Sequence, residues 1–146
     1  MKKIIPILLI AVLALTGCSD KNPFAGKYTG TFTFVTNNIT TGGSLRLLSN
    51  PLTTGLLVYG VIPIEPAGTN TYVSNADNSA LVAQLLQQIG NQNNIYNTAT
   101  EQIKNVKVEA TFSGNTVQLD MFYEVALISD LLQTRVSIVK FYGAKE

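Results

Sequence analysis

Apolar and polar side chains alternate with a period of two over residues 27–36. Tyr28, Phe32 and Phe34 fall on one face, with Gly30 in the same row, and Thr29, Thr31, Thr33 and Val35 fall on the other. Such alternation of aromatic and β-branched residues predicts a strand. A glycine inside it marks a bend or the close approach of another backbone. Asn37-Asn38 and Gly42-Gly43 bracket an expected turn, and a shorter strand follows over 44–48. Residues 56–64 are nearly all apolar, with Tyr59 and Gly60 inside the run. That pattern predicts either a strand covered on both faces or one wall of a barrel with a packed exterior, ended by Pro63 and Pro66. Residues 71–73 form a further short strand.

The period then lengthens. Leu81, Val82, Leu85, Leu86 and Ile89 recur at helical spacing, which predicts a helix over 77–90. Asp77 or Asn78 can cap its start and Gly90 can close its end. A polar loop follows over 91–100. Residues 103–123 read as a hairpin turning at Ser113-Gly114-Asn115-Thr116. An even loop pairs Phe112 with Val117, Ala110 with Leu119, Val108 with Met121 and Val106 with Tyr123. All four apolar pairs then share one face, which supports the register. Residues 124–133 are ambiguous between a strand extension and an apolar connection at 126–132. The last strand covers 134–142, and a slip in its pattern near Val139 predicts a bulge. The elements together predict an all-β fold, an antiparallel barrel or sandwich of about six to eight strands with one helix.

The start of the chain follows a different pattern. Lys2 and Lys3 precede an apolar run over 4–15 broken only by Pro6, and Thr16 and Gly17 are small. This is the layout of an export signal. The run falls short of the roughly 20 apolar residues that a membrane span needs. Leu15-Thr16-Gly17-Cys18 resembles the lipobox of bacterial lipoproteins. The resemblance implies a signal peptide over 1–17 that is removed, a diacylglycerol on the Cys18 thiol and an acylated new terminus. It leaves a lipidated tether over 18–26 and a β domain over 27–146. Two or more acyl chains hold a protein on a bilayer, at about 0.8 kcal/mol per buried methylene. Ser19 after the cysteine implies sorting to the outer membrane. Asp20 followed at once by Lys21 leaves the periplasmic and surface faces both open.

Composition narrows the chemistry. Removal of the signal leaves roughly 130 residues, enough for one domain with a real core. The whole chain carries 10 basic and 9 acidic residues. Without Lys2 and Lys3 the acidic side leads by one, so no nucleic-acid partner is implied. The chain has no histidine, and Cys18 is its only cysteine. Histidine-dependent triads, histidine-ligated zinc, thiolate clusters and disulfides are thereby excluded. The hairpin register sets Glu109 opposite Asp120, with Lys107 on the diagonal. Two carboxylates suggest calcium or sugar hydrolysis. One pair supplies too few oxygens for calcium, and charged strand positions are normally just solvated. No catalytic residue, metal ligand or cofactor is therefore expected.

Gly26-Lys27-Tyr28-Thr29-Gly30-Thr31-Phe32, directly after the tether, resembles the opening of small Bacteroidetes lipoproteins with a calycin-like barrel. Calycins are lipocalin-like barrels, many of which hold an apolar ligand. Tyr28, Phe32, Phe34 and Tyr59 are candidate ligand-lining residues, although aromatics at such positions more often fill a core. The expected function is a lipid-anchored, non-catalytic envelope protein that binds a small apolar or saccharide ligand. The alternative is an accessory subunit of an outer-membrane assembly, docking through 126–132. An Asp/Glu hydrolase ranks third. A cavity inside the sheet would favour the ligand, and a filled core beside an exposed apolar patch would favour docking.

Overall fold

The structure, a computed structural model, describes residues 22–74, 78–89 and 99–146. Its strands are β1 (Gly26–Phe34), β2 (Ile39–Ser49), β3 (Leu56–Val58), β4 (Ile62–Pro66), β5 (Thr71–Val73), β6 (Glu101–Ser113), β7 (Thr116–Leu127) and β8 (Asp130–Lys145). Each runs antiparallel to the next, and β8 pairs with β1 to close an eight-stranded barrel. Closure leaves no free edge along the paired length. One helix, α1 (Ser79–Ile89), joins β5 to β6. The expected signal over 1–17, Cys18, Asp77 and Gly90 lie outside the described residues.

The wall is uneven. β3, β4 and β5 span 3, 5 and 3 residues, whereas β6, β7 and β8 span 13, 12 and 16. At the upper end the tall wall rises past the short one. There α1 turns Val82, Leu85 and Leu86 into the same apolar cluster as Ile103, Val106 and Val125. The helix thus covers inner faces that the short strands leave open. The Asn78 carbonyl accepts the Val82 amide at 2.9 Å and begins the helical ladder.

At the lower end the chain closes the barrel with its own beginning. Phe24 stacks on Phe112 at 4.2 Å between ring centroids and meets Tyr72 edge-on at 5.9 Å. Asn22 donates from its side-chain amide to the Tyr72 hydroxyl at 3.2 Å and to the Thr54 carbonyl at 3.1 Å. The Tyr28 hydroxyl donates to the Phe24 carbonyl, and the Lys145 ammonium to that of Pro23. Residues 22–25, expected to be loose tether, are instead bolted across the barrel end.

Four local expectations change. First, β2 runs straight through Gly42-Gly43, and the β1–β2 reversal is a short 3-10 turn at Val35–Asn37 closed by Asn38 at φ 52°. Second, 56–64 is two strands. Tyr59 (φ 51°) and Gly60 (φ 78°) occupy the two central positions of a tight turn, and the Val61 amide donates to the Val58 carbonyl at 3.1 Å. Val58 pairs with Ile62, so the connection spans three residues, 59–61, with positive φ at the first two. Third, the β6–β7 register follows the expected pairs as far as Val108–Met121, then shifts at a bulge between Lys104 and Lys107. Val106 therefore does not pair with Tyr123, and Asn105 takes φ 52° at the irregularity. Fourth, Val139 pairs regularly with Met121 and Phe34, and the β7–β8 irregularity lies at Ala126/Leu127. The pattern only looks slipped at Val139 because polar Ser137 takes an inward place, where it bonds Thr36.

The β1–β8 seam depends on glycine. Gly30 faces Gly43 on one side and Gly143 on the other, three glycines abreast. A Cβ on Gly30 would lie 2.0 Å from the Tyr142 carbonyl oxygen, and one on Gly143 would lie 2.6 Å from the Phe141 ring. The close backbone approach expected at Gly30 is thus present, and the aromatic rings fold over the glycines they flank. Gly30→Ala is expected to cost at least about 3 kcal/mol, because backbone must move to admit the methyl group. Gly42→Ala, with only one atom as near as 3.9 Å, should change stability by less than about 1 kcal/mol. Urea unfolding of the two variants checks the contrast.

Candidate functional site

Three of the four candidate ligand-lining residues point into the lumen and fill it. Tyr28 and Phe32 are 2% exposed and Phe34 is 4% exposed. The Phe32 and Phe141 rings meet at 4.7 Å, above an aromatic floor of Phe24, Tyr72 and Phe112. Leu45, Leu47, Val58, Ile64, Val108, Leu119 and Met121 are buried between these layers. The three aromatics therefore act as core, packed against neighbours from across the barrel. Tyr59 sits elsewhere, in the β3–β4 turn, half-buried against the edge of that core. Its hydroxyl donates to the Ser44 carbonyl of β2.

The outer wall carries the carboxylates. Glu109 does pair with Asp120 across β6 and β7. Lys107 makes its ion pair with Glu109 at 3.6 Å rather than with Asp120, and both of those side chains are exposed. Asp120 instead lies beside Lys140 and accepts from Gln118 at 3.2 Å. No group of three or more potential metal-ligating side chains occurs among the described residues.

Apolar surface collects at the upper tip of the tall wall. Residues 130–136 of β8 are all exposed. Leu132 is 92% exposed and Val136 66%, with Ile128 and Leu131 about half-exposed beside them. β1 pairs with β8 only from Val139 onward, so among the described residues 130–136 bond as strand to β7 alone. Polar contacts hold the tip in shape. The Lys104 ammonium donates to the Leu131 carbonyl at 2.9 Å, Asp130 accepts the Leu132 amide at 3.1 Å, and Arg135 pairs with Glu101. A cleft of about 500 Å³ lies between Leu127, Leu132 and Arg135. The apolar connection at 126–132 anticipates part of this surface. Val136 escapes a strand reading because it simply occupies an outward position.

The described clefts lie at the surface: this one, one beside Arg46 and Leu48, and one of about 550 Å³ at the lower end beside Leu52 and Tyr72. No described helix is long and apolar enough to cross a membrane. No family model, curated protein or solved structure matches the chain.

Burial raises the pKa of Tyr28, and pushes Tyr59 from its ordinary value of 10.0 up to about 12. Both shifts arise because a phenolate loses hydration in the folded state. Folding therefore favours the neutral phenol, and the contribution is complete below the unfolded pKa of 10.0 and lost as pH rises toward 12. Tyr59→Phe should lose about 1 kcal/mol at neutral pH through the missing hydrogen bond. It should also lose less stability than the parent protein on going to alkaline pH. Denaturation midpoints at neutral and alkaline pH check both effects.

Proposed function

We propose that the protein is a lipid-anchored cell-envelope protein that acts by docking a partner rather than by making or breaking bonds. The anchor reading rests on the Leu15-Thr16-Gly17-Cys18 order and the preceding charge and apolar run. The eight-stranded up-and-down barrel agrees in architecture with the calycin resemblance. The filled lumen shifts the balance from an enclosed small ligand toward the accessory-subunit reading. The observation that carries it is the exposed apolar surface of β8 over 130–136, with Leu132 and Val136 at its centre.

The partner this surface fits is an extended segment of another envelope protein. Such a segment would lie along the exposed apolar surface of β8. Its apolar side chains would cover Leu131, Leu132 and Val136. Full burial of one leucine contributes about 1.5–3 kcal/mol, so a few such contacts suffice for a specific but reversible complex.

Two measurements test the reading. Cys18→Ser should release the protein from the envelope fraction, and the parent protein's N-terminal peptide should carry lipid mass. A photocrosslinking amino acid at Val136 should yield one discrete protein adduct in the native envelope, lost on Leu132→Asp. The same probe at Tyr142, exposed on the wall away from the tip, should yield none. Equal adducts at both positions would contradict docking at the tip.

A further inference from the structure

We propose that the barrel stands end-on at the bilayer, its lower end facing the lipid and the 50–55 loop seating Leu52 at the boundary between headgroups and acyl chains. This inference rests on the lipid anchor proposed above. Its first support is length. Only Ser19, Asp20 and Lys21 separate Cys18 from Asn22. Four residue steps reach at most roughly 14 Å. Asn22 is pinned, its backbone amide bonded to the Ser49 hydroxyl at 3.2 Å and its side chain to Tyr72 and Thr54. A lipidated Cys18 therefore keeps Ser49, Thr54 and Tyr72 within roughly 20 Å of the lipid attachment point, a few headgroup depths at most.

The second support is the surface that this brings down. Leu52 is 90% exposed, among the most exposed large apolar residues of the protein. Its loop is built to hold it out. Asn50 accepts the Leu52 amide at 3.0 Å, the Asn50 amide donates to the Gly55 carbonyl at 3.0 Å, and Thr53 donates to Glu65 at 2.8 Å. Residues 50–55 carry no charge, and neither does any residue lining the adjoining cleft. Three of the nearby charges are engaged, Glu65 by Thr53, Lys145 by the Pro23 carbonyl and Lys27 by Glu146 at 3.0 Å, while Arg46 lies beside Lys27 on β2 and Asp20 and Lys21 belong to the tether. An uncharged polar rim around one projecting leucine matches the polar-to-apolar gradient of a phospholipid surface. The β7–β8 tip then stands away from the bilayer, roughly 40 Å up after strand tilt.

The test uses the full lipidated chain in vesicles of phosphatidylethanolamine and phosphatidylglycerol. The native thiol is consumed by the lipid, so one introduced cysteine takes a fluorophore without competition. Leu52→Cys, Tyr142→Cys and Ile128→Cys place it at the lower end, on the wall and at the upper end. All three positions are exposed and should fold normally. Vesicles carrying a nitroxide on a shallow acyl carbon should quench the Leu52→Cys label several-fold more than the other two. Strongest quenching at Tyr142→Cys, strongest quenching at Ile128→Cys, or equal quenching at all three would overturn the end-on orientation. Flotation separates the two claims. Protein that fails to float with the vesicles overturns the anchor and this inference with it, whereas protein that floats with an unquenched Leu52→Cys label overturns the orientation alone.

Discussion

Everything in this fold depends on the seam where β8 meets β1. An open meander would expose two long edges, each a template for unwanted pairing. Closure requires the two backbones to come together where Gly30 faces Gly143, at a separation that admits no Cβ. The sheet gives up side chains at that level, and Phe32 and Phe141 restore the lost apolar volume from the next row. The glycines and the rings are thus one device: the first permits the curvature, and the second fills the space it creates.

Closure and filling together decide where function can reside. Short strands on one side keep the enclosed lumen shallow, α1 covers its upper inner face, and Phe24 stops its lower end. An apolar ligand entering the middle of the barrel would have to displace side chains that already bury one another. The tall wall has the opposite character. It continues past the last β1 partner, so among the described residues the upper part of β8 pairs as strand with β7 and lies beyond the β1–β8 closure. With Asn22 pinned at the lower end, the proposed anchor and the proposed docking surface would lie at opposite ends of the molecule. That separation suits a protein that holds a partner at a set distance from a membrane.

The sequence pattern made much of the fold readable, and its failures have physical reasons. The β1 face, the hairpin register from Phe112 to Met121 and the apolar face of α1 all follow from periodicity. Gly42-Gly43 reads as a turn by composition, yet β2 runs through it, and Gly43 is small because the Phe32 ring lies over it. The Tyr59-Gly60 reversal hides inside an apolar run because its signal is a tyrosine at positive φ, a place more often taken by asparagine or glycine. Phe24 looks like part of a tether because its partners Tyr72 and Phe112 are remote in sequence. The aromatic positions Tyr28, Phe32 and Phe34 are legible as inward-facing, but periodicity cannot distinguish a residue lining a cavity from one filling it. Only the packing across the barrel makes that distinction.

Native mass spectrometry of the protein extracted from its own membrane tests the central claim most directly. A lipid-held barrel with a filled lumen should appear as the chain beginning at Cys18 plus its acyl mass, without any retained small molecule other than lipid. A species at the uncleaved mass of 15.7 kDa, or a non-lipid small molecule held in stoichiometric amount, would contradict the account.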